Sequence, residues 1–581
     1  MLSLTENALA VLNKRYLRVK ENGEKETPDE LFRRVAKAIA SGDLLHNENA
    51  KIEKTEQEFY SIISSLDFIP NSPTLLNAGT DIGMLSACFV LPIEDNMDSI
   101  FSTLKDAVKI QKAGGGTGFN FSKIRHKGAT VRNTADVAAG PVIFLKIFSA
   151  ALKAVRQGLA RGGANMGIMN CDHPDILEFI HCKEKETEIT NFNISVGITD
   201  AFMEAVENGK NWDLTDPHDG KVVKTIPARE LFNEIIEGAW KNGEPGAIFL
   251  DVVNRYNPTP ALGQMIATNP CGELPLLPYE SCNLGSINIS NHFSNGVDWE
   301  KLRKTVWTAV HFLDNIISVS KHPLPSVEDM TKTTRKIGLG VMGFADLLYK
   351  MGVEYNSETA VLTGEQIMQF VQTEAKKASV ALAEERGAFP AFRASIYSGG
   401  SQIRNSTVTT IAPTGTISII AGCSSGIEPT FALAFKRNVL DGETLYEVNP
   451  VFEGKLKASG LWSPELLKDI VKTGYCPAQL PEEIRKVFIT SAQIPVDWHV
   501  KMQSAFQRWC DNSVSKTINF PFTATREQVA AAYIQAWKLG CKGITVYRSG
   551  SRDAEVLQVE NKAVCVECAD HACPIPVENK Q

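Results

Sequence analysis

Apolar positions recur at helical spacing near the start of the chain. Leu31, Phe32, Val35, Ala36 and Ile39 repeat every three or four residues and share one helix face. This helix is predicted to begin at Pro28: Thr27 is a capping residue, Pro28 suits the first helical position, and Glu30 completes a capping box. A longer helix is predicted from about Ser357 to Arg386, rich in Ala, Glu, Gln and Lys and closed by Gly387. Between such helices lie short β-rich runs, including Thr407 to Ile411 and Gly543 to Tyr547, each bounded by Gly or Pro. The alternation predicts an α/β class with largely parallel strands.

At 581 residues the chain exceeds the usual size of a single core. We expect an N-terminal helical segment over 1–64, a catalytic unit over 65–552 and a flexible tail over 553–581, which turns polar and carries Pro574 and Pro576. No apolar stretch approaches the roughly 18 residues that span a bilayer, and the N-terminus lacks a long apolar core with a small-residue cleavage site. A soluble, cytoplasmic protein is expected. A net charge of −7 gives no electrostatic case for binding nucleic acid, although single nucleotides remain acceptable ligands. Twelve cysteines are too sparse for a disulfide scaffold, so in a reducing compartment a disulfide here is expected to be catalytic.

The segment NPCGELPLLPYESCNLGSINIS, Asn269 to Ser290, concentrates the unusual chemistry. Pro270 biases Asn269 toward an extended conformation, in which Asn269, Cys271 and Glu273 would point the same way. A thiol, a carboxylate and an amide on one face offer a reactive atom, a base and an orienting group. Spacing alone leaves this reading level with a Pro/Gly-rich loop around an inert thiol. APTGTIS follows the β-branched run TVTTI and predicts a strand, a tight turn and a helix start. Its free N–H groups and the hydroxyls of Thr414 and Thr416 suit a phosphate, but no Walker lysine is present. The glycines of AGGGTGF permit close backbone approach to a ligand, and a structural turn explains them nearly as well. GLGVMG, Gly338 to Gly343, matches a dinucleotide fingerprint, yet the preceding TKTTRK is polar where an apolar strand belongs; close helix packing is the better account.

NPCGE, followed eleven residues after its Cys by that of SCNLGSIN, resembles the finger loop and next strand of ribonucleotide reductases. NSPTLLNAG with SACF, KAGGGTGFNFSKIR, RGGANMG, APTGTIS with GCSSGIEP, DNSVSKTINFP and KGITVYRSGSRD follow in that family's order. The resemblance implies a ten-stranded α/β barrel of two five-stranded parallel half-sheets, with a central finger loop. It implies a thiyl radical at Cys271, Glu273 accepting the 3′-hydroxyl proton, and Asn269 binding the ribose hydroxyls. Cys88 and Cys282 would supply two electrons and become a disulfide. The substrate would be lined by Ser72, Ala87, Cys88, Gly116, Asn269, Pro270, Cys271, Gly272 and Glu273, and its phosphates held by Pro413, Thr414, Gly415, Thr416 and Ile417.

Members that depend on a radical-generating subunit pass the radical through an adjacent Tyr-Tyr pair. Here Tyr547 follows Val546. That departure, and the likeness of KGITVYRSGSRD to the cobalamin-dependent branch, imply adenosylcobalamin as radical source; no cobalt-ligating signature is evident and no protein metal site is assigned. The resemblance further implies ribonucleoside diphosphates as substrates, deoxynucleoside triphosphate or ATP effectors near Asp95 to Ser99 and RGGANMG, and a homodimer. It leaves little room for a regulatory ATP-cone at the N-terminus. Tail thiols Cys565 and Cys568 would relay electrons from a thioredoxin-like reductant; the other reading is an incomplete zinc knuckle with His571 and Cys573.

Overall fold

The computed structural model describes residues 2, 4–130, 137–157, 161–185, 187–438 and 444–551. Three amphipathic helices open the chain: α1 (Glu6–Arg15), α2 (Pro28–Ala40) and α3 (Ile52–Ser64). At α2 the Thr27 hydroxyl accepts the Glu30 N–H, and the Glu30 carboxylate accepts the Thr27 N–H, closing the predicted box. All five predicted apolar residues of α2 are buried. The long helix spans Glu358–Arg386, with Ser357 as N-cap and Gly387 ending it at φ +80°.

Ten strands follow: β1 (Phe68–Pro70), β2 (Cys88–Val90), β3 (Gly116–Asn120), β4 (Asn165–Asn170), β5 (Phe192–Ile198), β6 (Gly246–Phe249), β7 (Ser281–Asn288), β8 (Ile337–Met342), β9 (Thr517–Phe520) and β10 (Gly543–Arg548). Strands β2 to β6 form one parallel half in chain order. The other half runs β7, β8, the extended segment 407–411, β9 and β10, with that segment bridged in parallel to β8 through Leu339–Thr409 and to the approach of β9 through Ile411–Val514. Antiparallel seams join β2 to β7 and β6 to β10, closing a ring of two five-stranded halves. β1 adds antiparallel to β7 outside the ring.

Two large apolar clusters lie between strands and helices. One gathers α1, α2, α3 and helix Trp299–Val319 against β1, β7 and β8; the other packs Phe119, Phe121, Phe148 and Phe192. A third fills the interior of the ring, where Val90, Met166, Ile168, Ile248 and Leu284 meet Leu274, Leu276 and Leu277 of a hairpin threaded through it. GLGVMG proves to be β8 itself and the turn after it. A Cβ at Gly338 would lie 2.5 Å from the Leu284 side chain and one at Gly340 would lie 2.5 Å from the Thr410 carbonyl oxygen, so these glycines serve close strand packing rather than the helix packing expected. No helix among the described residues is long and apolar enough to cross a membrane.

Candidate active site

The threaded hairpin pairs Ala267–Thr268 with Pro275–Leu276. Its tip is a turn, not the extended run expected after Pro270. The Gly272 N–H donates to the Asn269 carbonyl at 3.1 Å, Gly272 has φ +78°, and the Leu274 N–H donates to the Asn269 side-chain oxygen at 2.9 Å. Local hydrogen bonding therefore overrides the extended bias and still gathers the tip's polar side chains. The barrel holds this tip by its backbone: Asn120 Nδ2 donates to the Ile266 carbonyl at 2.7 Å, and Asn193 Nδ2 to the Pro270 carbonyl at 2.9 Å. The Glu273 carbonyl accepts the Ser513 N–H at 2.8 Å and the Thr410 hydroxyl at 2.9 Å. A Cβ at Gly118 would lie 1.7 Å from the Thr268 carbonyl oxygen, so β3 admits the hairpin only because that residue is glycine.

Asn269 Nδ2 donates to Cys88 Sγ at 3.1 Å. Glu273 is 2% exposed, and its Oε2 has no hydrogen-bond partner among the described residues. Burial pushes its carboxyl up to about 7, with the Asn269 side chain opposing part of that rise. Cys88 and Cys282 are registered opposite each other across the β2–β7 seam. Directly opposed residues of an antiparallel pair have Cα atoms about 4.5–5.5 Å apart, within the roughly 4.4–6.8 Å range of a disulfide. Both are buried as thiols. Burial raises the Cys88 thiol well above its ordinary range, and Glu273, Cys271 and Cys282 beside it act in the same direction. Cys271 is half-buried at the tip next to Gly272.

Gly116 is registered with Cys88, and a Cβ there would lie 2.9 Å from the Pro270 ring. Thr414, at φ +58°, precedes helix Gly415–Ala421 and accepts the Gly426 N–H on its hydroxyl at 2.7 Å. The tight turn and helix start expected at APTGTIS are present, while the run before them is an extended segment held by single bridges at Thr409 and Ile411 rather than the full strand expected. Sequence reasoning missed the contribution of α1: Arg15 donates to the Thr416 hydroxyl at 3.3 Å, and the Tyr16 and Ser72 hydroxyls pair at 2.7 Å. No motif marks these residues, because only tertiary packing carries α1 to that loop. It also missed Glu280 and Lys336, a fully buried ion pair at 2.7 Å beside the Cys282 strand; their signal was a charge immediately before each of two neighbouring strands buried along their whole length.

Asp95 takes Arg125 in a 2.8 Å ion pair, and Asn96 caps helix Met97–Lys112. A Cβ at Gly163 of RGGANMG would lie 2.4 Å from the Gln111 side chain of that helix. Tyr547 is half-buried on β10, after the buried Val546. Among the described residues no group of three His, Cys, Asp or Glu is placed to hold a metal ion. Tail residues Cys565, Cys568, His571 and Cys573 lie outside the described residues.

Residues 86–403 and 400–547 match the family "Ribonucleotide reductase, barrel domain", and residues 2–83 match "Ribonucleotide reductase, all-alpha domain". The chain belongs to the ribonucleotide reductase family. Among curated relatives, the vitamin B12-dependent ribonucleoside-diphosphate reductase of Thermoplasma acidophilum is 49% identical, across 96% of this chain and 80% of that protein. The protein of the same name from Mycobacterium tuberculosis (strain CDC 1551 / Oshkosh) is 47% identical, across 96% and 81%. Among solved structures, the Actinobacillus ureae class Id ribonucleotide reductase alpha subunit superimposes with a TM-score of 0.77 at 25% identity, covering 94% of this chain and 97% of that one. The α/β barrel with its N-terminal helical region is therefore the family's fold.

Proposed function

We propose that this chain is a cobalamin-dependent ribonucleoside-diphosphate reductase that replaces the 2′-hydroxyl of the ribose by hydrogen. The observation that carries the reading is the meeting of Cys88, Cys282, Asn269 and Glu273 around the hairpin tip that bears Cys271. Relatives 47–49% identical over 96% of the chain, named vitamin B12-dependent reductases, support the cofactor class.

In this reading Cys271, as a sulfur radical, removes the 3′-hydrogen, and Glu273 takes the 3′-hydroxyl proton. Its desolvated carboxyl suits that work near neutral pH. One thiol of the Cys88/Cys282 pair protonates the 2′-hydroxyl, which leaves as water. The pair supplies two electrons and its second hydrogen to the 2′-carbon and becomes a disulfide, Glu273 returns its proton to the 3′-oxygen, and Cys271 returns its hydrogen to the 3′-carbon. Asn269 orients the ribose hydroxyls and the Cys88 thiol. Pro413, Thr414, Gly415, Thr416 and Ile417 hold the diphosphate, with Ser72, Ala87 and Gly116 completing the wall. The finger tip fits a radical cofactor: Cys271 is only half-buried, and open space surrounds the position where Gly272 would carry a side chain. Adenosylcobalamin, when bound beside that tip, supplies the radical. The lone Tyr547 supports this source over a partner subunit. We further assign deoxynucleoside triphosphate or ATP effectors to the Asp95 to Ser99 region, a thioredoxin-like dithiol as reductant through Cys565 and Cys568, a homodimer, and a cytoplasmic location.

The test is incubation with CDP, dithiothreitol and a deoxynucleotide effector in the dark, with and without adenosylcobalamin. Formation of dCDP only with the cofactor is expected. Product without it, or none in either arm with CTP and other effectors also tried, overturns the reading.

A further inference from the structure

Lys336 lies one residue ahead of β8, whose parallel register with β7 pairs Ile337 with Asn283 and so sets Lys336 beside Cys282. Cys282 is registered with Cys88, and Cys88 with Gly116. Registered neighbours point to the same side of a sheet, so Lys336, Cys282, Cys88 and Gly116 form one row across four strands. The Lys336 ammonium and the Glu280 carboxylate are both 0% exposed and meet at 2.7 Å. Glu280 also accepts the Leu277 N–H at 2.7 Å, which fixes the carboxylate in the turn between the hairpin and β7. A buried ion pair is a weak source of stability, because desolvation offsets its attraction; this one stands beside a redox pair.

The two sulfurs have unlike surroundings. Cys282 is 0% exposed and Cys88 is 5% exposed. Burial raises the Cys282 thiol; the Lys336 charge, the largest influence after burial, opposes that rise, while Glu280 and then Glu273 add to it more weakly. At Cys88 the Glu273 carboxyl is instead the largest influence after burial, and among the described residues the neutral Asn269 amide, not a cation, donates to its sulfur. A departing thiolate is tolerated far better next to an ammonium than next to a carboxylate.

We propose that Lys336, held by Glu280, sets the direction in which the Cys88–Cys282 disulfide is reopened: the incoming dithiol attacks Cys88, and Cys282 departs as the thiolate. The inference rests on the reductase reading, which supplies the disulfide. A thiolate of the dithiol forms a sulfur–sulfur bond to Cys88; the Cys88–Cys282 bond breaks, and its electron pair goes to Cys282, which then takes a proton from solvent. The second thiolate of the dithiol attacks its own partner sulfur, releases Cys88 as a thiolate that is also protonated, and leaves the reductant as a disulfide. Lys336 acts as a positioning residue, through charge on the leaving sulfur.

The experiment uses the full chain without nucleotide or cofactor. The protein is oxidised with diamide, exposed briefly to the monothiol cysteamine, quenched in acid, alkylated and mapped by peptide mass spectrometry. The expected adduct is on Cys88 with Cys282 alkylated; an adduct on Cys282, or no Cys88–Cys282 disulfide after oxidation, overturns the proposal. In parallel, opening of the disulfide by dithiothreitol is timed in wild type, K336Q, K336R and the E280Q/K336Q double variant. K336Q and the double variant are expected to open about tenfold more slowly, from a leaving-group shift of one or two pKa units, with K336R restoring most of the rate. Equal rates in all four overturn it. The map is made on wild type, so misfolding of a variant does not affect it. A Cys88 adduct in a protein that yields no deoxynucleotide would remove the reductase reading and leave the exchange direction standing.

Discussion

Gly118 on β3 and Thr268 on the finger hairpin approach so closely that a single added methyl at Gly118 would lie 1.7 Å from the Thr268 carbonyl oxygen. Neither strand backbone nor hairpin backbone has a flexible end that could yield. Gly118→Ala is expected to push the hairpin outward, lowering stability by about 2 kcal/mol and turnover by roughly a hundredfold, since misplacement by about 1 Å disrupts attack geometry. Thermal melts and steady-state dCDP formation on the same preparation check both; unchanged turnover would show that the hairpin's depth does not set the chemistry.

Glu273 is an acid whose folded value, about 7, lies above its ordinary one because burial disfavours the charge. As a base it must be ionised, so kcat/KM should climb with pH up to about 7 and level off above it. The stability sign runs the other way: burial of the neutral acid favours the fold fully below the ordinary carboxylate value, and that contribution fades as pH rises through about 7. Glu273→Gln should therefore lose at least about a hundredfold in turnover, lose the acidic limb of the profile, and melt higher than wild type at alkaline pH. A wild-type profile flat across neutrality would remove Glu273 from the base role.

Cys271→Ser is expected to give no product, because an oxygen cannot replace the reversible sulfur radical. Cys88→Ser and Cys282→Ser should each end sustained turnover without disturbing CDP binding. Diamide treatment of wild type should remove two hydrogens at this pair, read by intact mass and peptide mapping. Sustained dCDP synthesis by either single variant would dismiss the pair as electron source.

Asp314 is fully buried between Arg335 at 2.7 Å, Arg386 at 3.2 Å and Arg404 at 3.3 Å, and Arg386 reaches on to Asp43 near α2. Burial by itself would raise this carboxyl, but the three guanidiniums overcome it and hold it well below the carboxylate range. The stability it brings is present above the ordinary carboxylate value and is lost as pH falls below it. Asp314→Ala strands buried cations and should cost about 3–5 kcal/mol, measured by denaturant unfolding near neutral pH. A loss under about 1 kcal/mol would mean that solvent already screens the cluster.

Much of this architecture was readable from short patterns. The capping box at Thr27 and Glu30 and the closing Gly387 are local devices, and both helices lie where those residues set them. The cysteines of the seam and the acid of the finger were legible as residue types in a family order, but their meeting depends on strand register between segments about two hundred residues apart. Local reading failed where backbone hydrogen bonds outvoted a proline: Pro270 suggested an extended tip, and the Asn269 side chain and carbonyl instead fold it into a turn. It failed again at GLGVMG, because the crowding that requires glycine comes from Leu284 and Thr410, which no window around Gly338 contains.

The antiparallel seam between β6 and β10 has a consequence for synthesis. Residues 246–249 find their closing neighbour only in residues 543–548, nearly three hundred positions later in translation order. A nascent chain can pack its first half-sheet and place both cysteines of the other seam while the ring is still open. Contacts of such long range form late and slowly. The enclosure around the finger therefore waits on residues 543–548, so closing the barrel is a late step that follows the placement of both seam cysteines.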